Sequence, residues 1–295
     1  MAYDAIIIGG SFAGLSAGLP LARARRKVLV IDAGQRRNRF AAASHGFLTQ
    51  DGVAPGEIAA EGRAQLMEYG SVDWLSTEAV KAERDSDGFC ITDRSGARHQ
   101  ARVLILATGV VDVLPDIPGV AERWGSSVFH CPYCHGYELR QGRIGVLATS
   151  PLSIHQALML PDWGPTTLLL NGVFEPDEEQ LAQLAARDVA LERTPVSRLA
   201  GDPLEVLLED GRALSLAGLF LAPRMRLSAL ASQLGCETEE GPLGPFIKTD
   251  PTQATSVPGL FACGDMARAA GSVPLAVGDG AMAGVAAHRA LMFGY

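Results

Sequence analysis

No apolar run in this 295-residue sequence approaches the roughly 20 residues needed to cross a bilayer, so a membrane-spanning helix is not expected. A basic excess is missing too, the formal charge being −8. Sequence-independent nucleic-acid binding needs a cationic face to displace counterions from phosphate, so nucleic acid is not an expected partner. Anionic membrane surfaces are disfavoured for the same reason. Nor is there a leader-like segment, because an apolar strand begins at Ala5 after only Met1-Ala2-Tyr3-Asp4; the expected location is the cytoplasm. Cysteine is scarce, with five in the chain, and Cys90, Cys236 and Cys263 stand alone. A tetrahedral zinc site built on the remaining pair needs two more nitrogen or sulfur ligands, usually as a second close pair, so no metal is expected. Cytosolic thiols are usually kept reduced, which argues against a structural disulfide. There is no short-period repeat and no low-complexity segment. The length fits one large domain or two of ordinary size, and 47% hydrophobic residues can bury a substantial core.

What the chain does have is Cys131-Pro132-Tyr133-Cys134, continued by His135-Gly136-Tyr137-Glu138. Two cysteines three apart can close a reversible disulfide within one turn, so thiol redox chemistry leads. Half of a zinc site is the alternative.

A second pattern lies at the start. Ala5 to Ile8 is a β-branched run, then come Gly9, Gly10, Ser11, Phe12, Ala13 and Gly14, and Leu15 to Ala24 reads as a helix. Strand, tight turn and helix in that order place unpaired helix N–H groups where a pyrophosphate can bind. Ser11 stands where the middle glycine of the dinucleotide fingerprint is usual. The next strand, Val28 to Ile31, ends at Asp32 and Ala33, near the spacing at which a carboxylate accepts a ribose hydroxyl; a strand-end cap is the alternative for Asp32. Downstream, Gly259 to Ala262 is a short apolar strand leading through Cys263 to Gly264-Asp265, followed by Pro274-Leu275-Ala276 and a helix from Ala276 to about Met292.

Together with Ala107-Thr108-Gly109 at the end of the strand Val103 to Leu106, this resembles the flavin-binding pattern of the thioredoxin-reductase branch of the FAD-dependent pyridine nucleotide-disulfide oxidoreductases. The resemblance implies an α/β fold of two Rossmann-like domains, the second inserted into the first, with FAD as cofactor. It implies that Asp265 binds the ribityl chain, and that the following helix points its positive end at the flavin ring. A homodimer is implied by the family alone. Pro115, Pro118 and Gly119 suggest the first crossing between domains, and Gly241 to Pro245 the second. That places the FAD domain at 1–112 and 240–295, with 113–239 inserted.

By the same resemblance Cys131 and Cys134 are the redox pair, Cys134 against the flavin and Cys131 exchanging with substrate. A helix starting near them would lower a thiol pKa. His135 stands where ordinary thioredoxin reductases have Asp, and this form resembles the dithiol oxidases that close the disulfides of gliotoxin, holomycin and romidepsin. A histidine titrates near neutrality and suits a base; the alternative is a proton donor equivalent to Asp. His130 is a further candidate of uncertain orientation. Tyr133 and Tyr137 are open between packing and substrate contact. Arg36, Arg37, Asn38 and Arg39 lie in the family's loop beside the flavin, as phosphate ligands or a solvated turn. His45, Thr49 and Asp51 are candidate flavin-ring contacts.

The inserted domain departs from the family's NADP(H) pattern. The strand Arg143 to Leu147 leads into Ala148-Thr149-Ser150-Pro151-Leu152-Ser153, which has no glycine where a pyrophosphate would approach and contains a proline. The next strand ends in Asn171-Gly172 rather than arginines, and Arg187 and Arg193 are too distant to replace them. NADP(H) is therefore doubtful. His155 is expected to be packed or solvent-facing, and the Glu175 to Glu179 cluster to cap a helix running to Arg187. The expected activity is oxidation of a small-molecule dithiol, electrons passing through FAD to oxygen or another acceptor. The rivals are a reductase acting on the disulfide of a thioredoxin-like protein, and a non-catalytic flavoprotein sensor.

Overall fold

The computed structural model describes residues 2–294. The first half of the chain runs β1 (Tyr3–Ile8), α1 (Phe12–Arg23), β2 (Val28–Ile31), α2 (Pro55–Met67), β3 (Val72–Leu75), β4 (Ala79–Asp85), β5 (Gly88–Asp93) and β6 (Arg98–Leu106). Ala5 to Ile8 of β1 and all of β2 are buried, as expected of apolar strands covered on both faces. The sheet order is β3-β2-β1-β6, with β6 long enough to serve two neighbours on one side. Its first half pairs antiparallel with the β4–β5 hairpin, and its last residues pair parallel with a strand from the far end of the chain.

The chain then crosses through β7 (Val111–Val113) into α3 (Val120–Arg123), β8 (Val128–Phe129), α4 (Pro132–His135), β9 (Ile144–Leu147), α5 (Ser153–Met159), β10 (Thr166–Leu169), α6 (Glu178–Ala186) and β11 (Ala190–Glu192). An antiparallel layer follows, β12 (Val196–Ala200), β13 (Leu204–Leu208) and β14 (Ala213–Leu216), before β15 (Gly218–Phe220). β11-β10-β9-β15-β8 form a second, parallel sheet. α6 starts where the acidic cluster predicted. Asp177 caps it, accepting the Gln180 N–H while the Gln180 side chain returns the bond to Asp177 N–H.

The return is by β16 (Arg224–Arg226), which pairs antiparallel with β7. α7 (Ala229–Gln233), the hairpin β17 (Thr238–Gly241) and β18 (Gly244–Ile247), β19 (Leu260–Ala262) and α8 (Val273–Phe293) complete the chain. Leu230, Ala231 and Leu234 pack into the core of the first sheet, and the Gln233 side chain accepts the Ala82 N–H. The chain has thus rejoined the first unit at β16, ahead of the Gly241–Pro245 segment chosen from sequence. That glycine-proline run is the turn of the β17–β18 hairpin, a structure with the same local signature as a crossing.

α1 and α8 lie together on one face of the first sheet, and α7 with the β17–β18 hairpin on the other. α8 begins before the expected Ala276, because Ser272 caps it and Pro274 is tolerated in a first turn that has no use for its missing N–H. Among the described residues no helix is long and apolar enough to cross a membrane, and no cluster of His, Cys, Asp and Glu could hold a metal ion.

Candidate functional site

The carboxyl ends of β1, β2, β6 and β19 gather the sequence-predicted residues on one edge of the first sheet, where ligands of such sheets bind. Gly9 turns the chain at φ +103°, and a side chain there would meet the Ala107 carbonyl at 2.2 Å. Gly14 lets α1 press onto that turn, since an added Cβ would lie 1.8 Å from the Gly9 carbonyl oxygen. Ser11 caps α1 by backbone alone, its side chain making no capping bond, so the helix start is free of internal side-chain acceptors. Asp32 Oδ1 accepts the Gly10 N–H at 3.0 Å, which fixes the carboxylate beside the turn.

Next to it is a cleft of about 410 Å³ whose walls include Gly10, Asp32, Arg36, Arg63 and Trp74. Arg63 stacks over the Trp74 ring at 4.2 Å. Neither was singled out from sequence, because a lone arginine on α2 and a lone tryptophan on β3 carry no motif. The half-buried Arg36 Nε and Asn38 Oδ1 have no hydrogen-bond partner within the protein, which leaves both for a ligand. Two cationic side chains, an aromatic wall, a glycine cradle and a helix N-terminus suit a dinucleotide with a pyrophosphate. FAD therefore fits the residues present.

The other loop candidates diverge. Arg39 is exposed, bonded to the Arg36 carbonyl at 2.8 Å and stacked over Phe40 at 4.2 Å. Ala33 and Thr49 are exposed, and Asp51 accepts the Gly46 N–H at 2.8 Å. His45 reaches the redox motif, with Nε2 at 3.4 Å from Glu138 and Nδ1 at 3.6 Å from Asp51. Thr108 Oγ1 rests on Met266 Sδ, while Gly264 is buried and Asp265 half-buried after β19. Pro274 and Leu275 are exposed on the first turn of α8 and Ala276 is buried. Ser272 Oγ accepts the Leu275 N–H at 3.4 Å, so the start of α8 spends one donor on its own cap.

Arg37 is the main addition. Its fork grips Asp112 of β7 at 2.6 and 3.0 Å and its Nη1 reaches Asp265 at 2.8 Å. Burial works against its charge, but the two carboxylates outweigh that and its pKa is raised. It is neither of the two things the arginine cluster suggested.

In the second sheet, β8 delivers His130 and the redox pair. Cys131 is the N-cap of the one-turn helix α4, and Pro132 occupies its first position. All five cysteines are free thiols. The Cys131 thiol is lowered to about 7, chiefly by a hydrogen bond from the Cys134 thiol, with burial opposing and the Cys134 and Tyr133 N–H groups and Arg37 assisting. Cys134 is pushed up, first by donating that bond and then by burial. The hydrogen bond between the two thiols thus favours the thiolate at Cys131, where the family resemblance implies Cys134 as the flavin-side thiolate. His135 stacks on Phe129 with ring centroids 4.4 Å apart, and burial lowers its pKa, so it is neutral at pH 7 and able to accept a proton. Burial likewise lowers His130, whose Nδ1 lies 3.4 Å from the Leu221 carbonyl. Tyr133 packs edge-on against Trp163 and is 72% exposed, as Tyr137 is 86% exposed, leaving both at the surface of the motif.

The turn between β9 and α5 is closed on itself. The Thr149 N–H donates to Ser153 Oγ at 3.1 Å, and the Ser153, Ile154 and His155 N–H groups donate to the carbonyls of Ser150, Pro151 and Leu152. Thr149 Oγ1 donates to the Ala222 carbonyl at 2.7 Å. Ser153 is fully buried. Four N–H groups that could cradle a pyrophosphate are therefore engaged within the turn. Beyond β10, Asn171 spends its side chain on the Val196 N–H, and His155 is exposed.

The model of the pyridine nucleotide-disulphide oxidoreductases matches residues 3–280. The chain belongs to this family. It is similar to thioredoxin reductase tcpT of Claviceps purpurea (strain 20.1), 36% identical over 98% of this chain and 94% of the relative. Among solved structures, an oxidoreductase from Agrobacterium tumefaciens is 57% identical, with a TM-score of 0.97 over the whole of both chains. HlmI is 38% identical, with a TM-score of 0.93 over 99% of this chain and 93% of the other. This oxidoreductase accordingly has the two-domain Rossmann fold of the thioredoxin-reductase type. It is an FAD-dependent enzyme acting on sulfur groups. Within it, the glycine turn, Asp32 and the end of β19 lie on the first sheet, and the cysteine pair on the second.

Proposed function

We propose that the enzyme oxidises a small-molecule dithiol to a disulfide, with Cys131 and Cys134 as the exchanging pair. A substrate thiolate attacks the Cys131 sulfur of the Cys131–Cys134 disulfide, the Cys–Cys bond breaks and a mixed disulfide forms. The second substrate thiolate then displaces Cys131. The substrate loses two electrons and two protons, and the pair gains the electrons. His135, neutral and beside the motif, is the base that takes a substrate proton. While Cys131 is held in the mixed disulfide it carries no charge. The main cause of the raised Cys134 pKa is then gone, and Cys134 can hold the thiolate that the family resemblance assigned to it.

Gly9 to Gly14, Asp32, Asn38, Ala107 to Gly109 and Asp265 would hold FAD, which when bound would supply a two-electron acceptor for the reduced pair, with dioxygen as the final oxidant. The domains are 1–112 with the C-terminal part, and an insertion bounded by β7 and β16. By family resemblance the enzyme is a homodimer.

The observation that supports this direction is the self-filled β9–α5 turn, in which the Thr149, Ser153, Ile154 and His155 N–H groups are spent within the turn and Pro151 has none to offer. The names of the relatives support a second reading, a reductase that takes electrons from NADPH to a thioredoxin-like protein. An oxygen electrode separates the two. The purified FAD-loaded enzyme is expected to consume one dioxygen per disulfide formed from a small dithiol such as dithiothreitol; absence of uptake, together with NADPH-driven disulfide reduction, overturns the oxidase.

A further inference from the structure

Arg37 joins four segments that are remote in sequence: its own loop after β2, Asp112 on the outgoing crossing strand β7, Asp265 after β19, and Met225 on the returning strand β16, whose sulfur lies 3.6 Å from Nη2. Asp112 has only 8% of its side chain exposed and Asp265 20%, so these ion pairs are sheltered from solvent screening. A bidentate fork on one carboxylate with a third nitrogen on another is a geometry that lysine cannot reproduce. The cluster is near enough to His130 and the cysteine pair for the guanidinium charge to bear on them.

We propose that Arg37 is a positioning residue for thiol exchange: it ties the crossing strand and the Asp265 carboxylate together beside Cys131 and Cys134, and sets the charge that the reduced pair experiences. The proposal deepens the dithiol-oxidase reading by adding a residue to the same site. The charged and titratable groups around the pair are Arg37 with its partners Asp112 and Asp265, Glu138 with its partner His45, and His130 and His135 next to the motif. Arg37 is the cation that favours the thiolate at both cysteines. Its loss withdraws that cation and also leaves two sheltered carboxylates unneutralised, so both effects disfavour the thiolate. Removing the Asp112 charge has the opposite sign, because the guanidinium then acts less opposed. A role limited to holding the fold would not give opposite signs.

The test is the pH dependence of Cys131 alkylation by iodoacetamide in FAD-loaded enzyme reduced with a phosphine, with the modified cysteine identified by mass spectrometry. The wild type is expected to show an inflection near pH 7, where the Cys131 thiol is placed. Below it the rate follows the thiolate fraction, so an inflection one pH unit higher is about a tenfold slower reaction. Arg37→Gln is expected to slow alkylation at pH 6 about tenfold, and Asp112→Asn to speed it about threefold. Unchanged profiles, or shifts of the same sign in both variants, overturn the assignment. If Arg37→Gln does not fold, Asp112→Asn decides alone: faster alkylation supports the assignment, and an unchanged or slower rate overturns it. Alkylation requires no turnover, so a failure of dithiol oxidation leaves this result readable.

Discussion

Replacing either cysteine of the pair with serine is expected to lower dithiol-dependent oxygen uptake on the order of a thousandfold or more, with FAD still bound. The hydroxyl of serine is neither an exchangeable sulfur nor a thiolate near neutral pH. The two variants differ in a way that the geometry dictates. In Cys134→Ser the Cys131 thiol keeps its place at the start of α4 and the nearby Tyr133 N–H group, so it remains reactive. With the disulfide of a monothiol as probe it forms a mixed disulfide that has no second thiol to resolve it, and mass spectrometry finds the adduct on Cys131. In Cys131→Ser the remaining thiol is relieved of its charged neighbour, but by family resemblance it is the flavin-side member of the pair rather than the exchanging one, so no such adduct is expected to accumulate. Turnover within tenfold of wild type in either variant would mean that the flavin takes electrons from the substrate without the pair.

Gly14→Ala is expected to destabilise the protein by about 3 kcal/mol or more and to lose FAD on gel filtration. The added Cβ would lie 1.8 Å from the Gly9 carbonyl oxygen and 3.3 Å from an Ile7 methyl group. Neither neighbour can yield, because Gly9 is the turn itself and Ile7 is fully buried in the first sheet. α1 must therefore move off the strand end, and its N-terminal N–H groups move with it. A penalty of that size is a large part of the stability of an ordinary domain. Denaturant unfolding of the holoenzyme, followed by flavin fluorescence and circular dichroism together, checks both halves of the expectation. An unshifted midpoint with full FAD content contradicts the close packing described.

The parts of the site that sequence made legible are those whose chemistry is local. Gly9 to Gly14, Asp32, Gly264-Asp265 and the Cys131–Cys134 pair each announce a turn, a strand end or a spacing within a few residues. Their meeting on one sheet edge follows from the strand order. What sequence did not reveal depends on distance. Arg37 pairs with residues 75 and 228 positions away, and the basic cluster around it fitted a solvated turn equally well. Arg63 and Trp74 line the cleft because α2 and β3 fold over it, which no local pattern signals. The missing glycine after β9 was plain, but the hydroxyl of Ser153 filling that turn was not. The thiolate on Cys131 rests on which thiol donates to which, a matter of side-chain direction. Glycine and proline mark a hairpin and a crossing alike, so Gly241–Pro245 carries the signal at the β17–β18 turn while β16, which pairs with β7, carries none.

Anaerobic stopped-flow absorbance of the oxidised FAD enzyme tests the central claim most directly, with a small dithiol and NADPH mixed separately in equal excess. The account predicts that the dithiol bleaches the flavin band within seconds, that readmitted air restores it, and that NADPH leaves it unchanged. Rapid bleaching by NADPH with no response to the dithiol would contradict it.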